Sequence, residues 1–260
     1  NTTLGTDTTN TVTLNKATLT VTGTVSPSKT YDGTTSATIT GGTLNGVQGS
    51  DVVTLTQSGV YSSAAAGSGI SITMSNSVSG TNVSTNYQLT QPVVTGSISR
   101  AALGVSAEAT YASSTSVTPS SATLTGLVAA DSAATVTNLV LSNANVGSGL
   151  YATGLTLSNG AQANYVLNSA SNTTLGTDTT NTVTLNKATL TVTGTVSPSK
   201  TYDGTTSATI TGGTLNGVQG SDVVTLTQSG VYSSAAAGSG ISITMSNSVS
   251  GTNVSTNYLL

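Results

Sequence analysis

Tyr31-Asp32-Gly33 and Tyr202-Asp203-Gly204 each set a carboxylate between a phenol and a glycine, with a lysine three residues before the Asp (Lys29, Lys200). Such a group could grip an ion or a polar ligand, but a ligand site needs converging partners. The alternative is a turn in which Asp hydrogen-bonds its own backbone and Gly supplies an angle other residues resist. The turn is the expected role. Catalysis is limited by inventory. Without His or Cys no nucleophilic triad of the Ser-His-Asp or Cys-His kind can be assembled. Paired carboxylates could serve glycoside hydrolysis, yet the candidates are Asp32 with Asp51 in one stretch and Glu108 with Asp131 in the next, and these pairs do not match in position. No catalytic residue, cofactor or metal site is assigned. Calcium prefers several carboxylate or carbonyl oxygens together, and here the acids are scattered. A Lys16–Asn86 isopeptide bond would need a buried lysine beside an acid such as Asp32 or Asp51; Arg100 replaces the lysine in the second module and cannot react this way.

The elements that position these residues come in repeats. Residues 1–87 recur unchanged as residues 172–258. A weaker period lies inside: "KATLTVTG" opens at Lys16 and Lys187, and "RAALGVSA" at Arg100. The chain divides into a closing strand of a preceding module (1–15), a first module (16–99), a divergent module (100–186) and a second copy of the first (187–260) lacking its last strand. Landmarks survive in the divergent module, where "ATYAS" stands for "KTYDG". Asn86-Tyr87, Asn164-Tyr165 and Asn257-Tyr258 occupy matching places. Repeated tyrosine placement points to packing.

Within a module the apolar period is two. Leu19 and Val21 alternate with Thr18, Thr20 and Thr22, the mark of a strand with one dry and one wet face. Threonine suits such a strand. Asn-Gly at 45–46 and at 159–160 signals a hairpin or turn. No helical stripe appears; only "LNGVQGSDVV" could hold a short turn. The expected fold is all-β: tandem small immunoglobulin-like β-sandwich modules in an elongated rod, with β-grasp-like modules as the alternative. A parallel solenoid should repeat every 20 to 30 residues or so, and no such rung is found.

The combination "KATLTVTG…KTYDGTT…TLNGVQGSDVVTLT…GSGISI…NYQL…VTGSI" resembles the YDG-type and related MBG-type repeat domains found in tandem in very large bacterial surface proteins, notably filamentous-haemagglutinin-like adhesins exported by two-partner secretion. The likeness spans essentially the whole chain, although Ala112 and Ser113 stand where Asp32 and Gly33 do. The resemblance implies a secreted, fibrous, non-enzymatic stalk at a bacterial cell surface.

A net charge of −3 with few charged residues leaves no basic footprint for nucleic acid, and no apolar run reaches the roughly 20 residues of a membrane span. Neither partner is expected. The expected partners are neighbouring modules or identical subunits end to end, including by strand addition. The chain reads as a window on a longer array. The rival reading is a tandem module binding glycan or host protein, which should present the same exposed aromatic or charged patch in each copy. The Asn-x-Ser/Thr triplets at Asn82 and Asn253 could be glycosylated, but so short a pattern arises by chance.

Overall fold

The computed structural model describes residues 11–25, 27–167 and 180–260. These residues are all-β: short strands joined by loops, with four helical turns of three or four residues at Val83–Asn86, Ala129–Asp131, Ala161–Asn164 and Val254–Asn257. No helix among them is long and apolar enough to cross a membrane. The chain forms two compact units, one holding residues up to Ala101 with Val128–Ala130, the other the remainder.

In the first unit, strand Ala17–Thr22 lies between Thr43–Asn45, antiparallel to it, and Tyr87–Thr90, parallel to it. Its alternation settles its faces: Leu19 and Val21 are buried, and Thr18, Thr20 and Thr22 are exposed. Leu19 packs with Val83 and Tyr87, ringed by Leu44, Val53, Val78 and Leu89. A second sheet runs Ser28–Thr30, Val94–Ser99, Gly67–Met74, Gly59–Tyr61, burying Tyr61, Ile72, Met74 and Ile98. Val94–Ser99 is the hub of this sheet, parallel to Ser28–Thr30 and antiparallel to Gly67–Met74.

The second unit repeats the plan. Ala101–Thr110 pairs antiparallel with Ser121–Thr125 and parallel with Asn181–Asn186, in the register Ala109↔Leu185 that matches Lys29↔Ile98 of the first unit. Ser116–Val117, Val136–Leu141 and Ala152–Leu157 form its facing antiparallel strands. The buried residues of the divergent module and of the second copy form one cluster, running from Val105, Tyr111 and Leu139 through Leu185 to Leu190, Val254 and Tyr258.

Identical letters adopt different structures where their neighbours differ. "TVTLN" at 182–186 lies in a strand with Val183 and Leu185 buried. At 11–15 it is in no strand, and Val12 and Leu14 are 91% and 94% exposed. Pairing with Ala101–Thr110, not propensity, makes the strand. The second copy teaches the same lesson. No counterpart of Val94–Ser99 is among the 260 residues, residues 199–201 are not in a strand, and the counterpart of Gly67–Met74 shrinks to Ile243–Met245. A groove of about 440 Å³ lined by Ser199, Lys200, Tyr232, Ile241 and Ile243 lies beside these loosened segments.

Two sequence expectations need refinement. Asn45 ends a strand and Gly46 follows at φ 92° with no turn closed there, and the flanking strands pair elsewhere, Thr43–Asn45 with Ala17–Thr22 and Thr54–Thr56 with Ser77–Ser79. The short helical turns follow Asn82, Gly160 and Asn253, all left-handed in φ, and not the "LNGVQGSDVV" segment, which makes a hydrogen-bonded turn at residues 49–50. Four residues are too few to carry an apolar stripe, so periodicity could not mark them.

Candidate functional site

The Tyr-Asp-Gly triplets build a local clasp. Asp32 Oδ1 accepts from the Thr34 backbone N–H (2.8 Å), the Thr34 hydroxyl (2.8 Å) and Lys29 Nζ (2.7 Å), and Lys29 Nζ also donates to the Thr34 carbonyl. The second copy repeats this on Asp203, with Thr205 and Lys200. The lysine hydrogen bond, followed by those from Thr34 or Thr205, holds both carboxyls down to about 2. Each lysine also lies over a tyrosine ring, Lys29 at 5.7 Å from Tyr61 and Lys200 at 5.4 Å from Tyr232. Gly33 and Gly204 have φ of 76° and 75°, left-handed values that glycine adopts at least cost. Gly33 has a second constraint, because a Cβ there would sit 2.6 Å from the Cβ of Ala130, whereas nothing lies within 4 Å of Gly204. A carboxylate held ionised by its own turn is a poor general base.

The Asn-Tyr landmarks carry a second constellation. Tyr87 donates to Asp51 Oδ2 (2.7 Å) and accepts from the Gln48 N–H (3.0 Å). Tyr258 donates to Asp222 Oδ2 (2.6 Å) and accepts from the Gln219 N–H (2.9 Å). Tyr165 donates to Asp131 Oδ2 (2.7 Å), and Asn159 Nδ2 donates to Asp131 Oδ1 (2.8 Å). Every module thus ties one acidic loop to the tyrosine of its landmark. Asp51, Asp131 and Asp222 are structural equivalents, whereas Glu108, on the strand Ala101–Thr110, has no match in Asp32, so the carboxylate pairs of successive modules share one member and differ in the other. The sequence signal was there: the Asp-to-Tyr separation is 36, 34 and 36 residues.

Within the second unit this loop becomes a joint. Asp222 Oδ2 also accepts from Tyr111 (2.8 Å), and Asp222 Oδ1 accepts from Ser113 Oγ (2.7 Å), so three hydroxyls from two modules converge on one carboxylate. The Tyr111 and Tyr258 rings meet edge to face, 5.3 Å apart, a geometry worth about 1 kcal/mol beyond area burial. Asn257, 1% exposed, donates from Nδ2 to Asn145 Oδ1 (2.8 Å) and accepts from the Val146 N–H (2.9 Å). Hydrogen bonds from Tyr258 and Ser113 lower the Asp222 carboxyl. Burial, then the bond to Asp222, pushes the Tyr258 phenol up to about 12 and raises Tyr111 as well. Ser113 has φ 55° where the other modules have Gly33 and Gly204. A serine there costs about 1 kcal/mol in backbone strain, of the same order as a hydrogen bond to a partly exposed, solvent-screened carboxylate. Neither Ser113 nor Asn145 stood out in the sequence, since both are small polar residues in polar loops.

The remaining predicted residues fall as follows. Tyr31 is buried, while Tyr202 is 66% exposed, so the two triplets share an exposed Asp, at 52% in each copy, but not an exposed tyrosine. Asn86 is exposed, unlike its counterpart Asn257; Asn164 is the last residue of a helical turn ahead of buried Tyr165. Lys16 and Lys187 are exposed and donate to the carbonyls of Ser84 and Ser255 (2.7 and 2.6 Å), which lacks the burial an isopeptide bond demands. Among the described residues no three His, Cys, Asp or Glu side chains gather in a way that could hold a metal ion.

A family model described as the YDG domain matches residues 15–95 and 186–260, more than half of the chain. No curated protein and no solved structure matches.

Proposed function

Since this chain belongs to the YDG domain family, we propose that it is a structural stalk or filament repeat of a secreted bacterial surface adhesin or extracellular matrix fibre. The observation that carries this reading is the Asp222 joint, where three hydroxyls on one carboxylate link one module to the next through Tyr111, Ser113 and Tyr258. Acidic groups that elsewhere would serve chemistry are here committed to loops and joints. Letter-for-letter duplication of residues 1–87 supports the same role, because in a repeat array stability sums over units and their interfaces, so copying adds length without new chemistry. Sparse charge and threonine-rich faces keep a long fibre soluble without large apolar patches. The 100–186 stretch, outside the family match but for residue 186, is read as a divergent related module, and export by two-partner secretion is the expected route to the surface.

Antibody labelling tests this on intact surface fibres of cells that display the chain. Label at regular intervals along the fibre is the expected result. Label confined to the tip, or found only on unattached protein, would overturn it and favour an adhesive module.

A further inference from the structure

The joint of the second unit is asymmetric in its chemistry. The second copy contributes Asp222, Tyr258 and Asn257, and the identical residues Asp51, Tyr87 and Asn86 stand in the first copy, with the Tyr-to-Asp bond at 2.7 Å against 2.6 Å and Asn82 and Asn253 at φ 57° and 56°. The divergent module contributes Tyr111, Ser113 and the Val146 N–H as donors and Asn145 Oδ1 as the acceptor for Asn257 Nδ2. Two of these residues, Ser113 and Asn145, belong to the divergent module alone. Where it has Ser113 the other modules have Gly33 and Gly204, and where it has Asn145 they have Ala65 and Ala236. Both make side-chain hydrogen bonds to the next module, and Ser113 does so in a left-handed conformation that glycine would hold with less strain.

We infer that Ser113 and Asn145 are partner-selecting residues, which make the divergent module's end fit the Asp–Tyr–Asn end of the other module type, and that the surface of the first copy that exposes Asp51 and Asn86 around buried Tyr87 is a second docking surface for a module of the 100–167 kind. Continuity with the observed joint identifies this occupant: the Asp, Tyr and Asn residues are the same and already preorganised, and Asn86 is exposed where Asn257 is covered. Internal repetition argues the same way, since residues 1–15 duplicate 172–186, whose strand Asn181–Asn186 belongs to the sheet of the divergent module. The surface would therefore be met by two hydroxyls for the carboxylate, from a tyrosine and a serine, and by an asparagine Oδ1 that accepts from Asn86 Nδ2 and a backbone N–H that donates to Asn86 Oδ1.

This inference rests on the stalk reading but is tested apart from it. In the 260-residue chain, Ser113→Gly together with Asn145→Ala should speed hydrogen exchange of the Val146 amide about tenfold, the loss of two joint hydrogen bonds offset in part by the strain that glycine relieves, while the fold's other amides keep their rates. A purely local role for Ser113 predicts the reverse, because glycine relieves the strain at φ 55°; unchanged or slower exchange sinks the selection claim. For the second surface, the chain is lengthened by a further copy of residues 100–171 ahead of Asn1, with only the added module isotopically labelled. Its Val146-equivalent amide should be protected as in the native joint, and lose that protection when Asp51 becomes Asn. Equal exchange with and without Asp51 would refute docking there. Either failure leaves periodic fibre labelling, and so the stalk reading, untouched.

Discussion

Asp51 and Asp222 sit in identical sequence but receive different bonds, so the same substitution at each isolates what the joint contributes. Asp222 takes hydroxyls from Tyr258, Tyr111 and Ser113, while Asp51 takes the one from Tyr87. Asp→Asn preserves shape and removes the charge that strengthens these bonds. At a partly exposed carboxylate each of the two bonds from the divergent module is set at about 1 kcal/mol, the low end for charged acceptors because solvent screens the site. Asp222→Asn should then destabilise the second unit by about 2 kcal/mol beyond any effect common to both sites. For a unit of this size that lowers its melting temperature by roughly 4 to 8 °C. Calorimetry on the wild-type chain and the two single variants reads the shift, with each transition assigned by the variant that moves it. If Asp51→Asn and Asp222→Asn depress their transitions equally, the hydroxyls of Tyr111 and Ser113 add nothing and the joint is a bystander contact.

Other outcomes follow from the same geometry. Because the folded Asp222 carboxyl lies below its ordinary value, its contribution is fully present above the unfolded carboxylate pKa near 3.9 and is lost as pH falls through the folded value; urea unfolding from pH 5 down to pH 2 measures it. Tyr258 is raised from 10.0 to about 12, so its contribution is present below pH 10 and fades as pH rises from there through about 12, and Tyr258→Phe should flatten that alkaline slope. Gly204→Ala should cost about 1 kcal/mol from the left-handed φ alone, and Gly33→Ala measurably more, because Ala130 must also move; equal costs by denaturant titration would contradict the packing at Gly33. Leu190→Ala, at a side chain only 2% exposed, should cost about 3 kcal/mol through the cavity it leaves.

What the sequence made legible was local. Alternation at Leu19 and Val21 announced which face of the strand would be dry, because a strand's side-chain period is fixed by its backbone. The Asp32 and Asp203 turns were legible for the same reason, with donor and acceptor two residues apart. Parallel pairing of Ala17–Thr22 with Tyr87–Thr90 was not, since no turn joins those strands and their register depends on distant packing. Asn45-Gly46 showed the converse fault: composition marked a hairpin or turn where a strand ends at Asn45 and a left-handed glycine leads on to a turn at residues 49–50. The joint was hidden more deeply. Ser113 and Asp222 are 109 residues apart, and only the fold reveals that a serine standing in a glycine's place is aimed at a carboxylate of the next module.

The central claim, that these modules are joined beads of a load-bearing stalk, is tested most directly by cryo-electron microscopy of the intact fibre. The account predicts an axial repeat of two modules, one for each 171-residue step, with the Asp222 loop seated between Tyr111 and Tyr258 at the joint. Modules that hang from flexible tethers with no such contact, or a ligand held at one spot in every module, would contradict it.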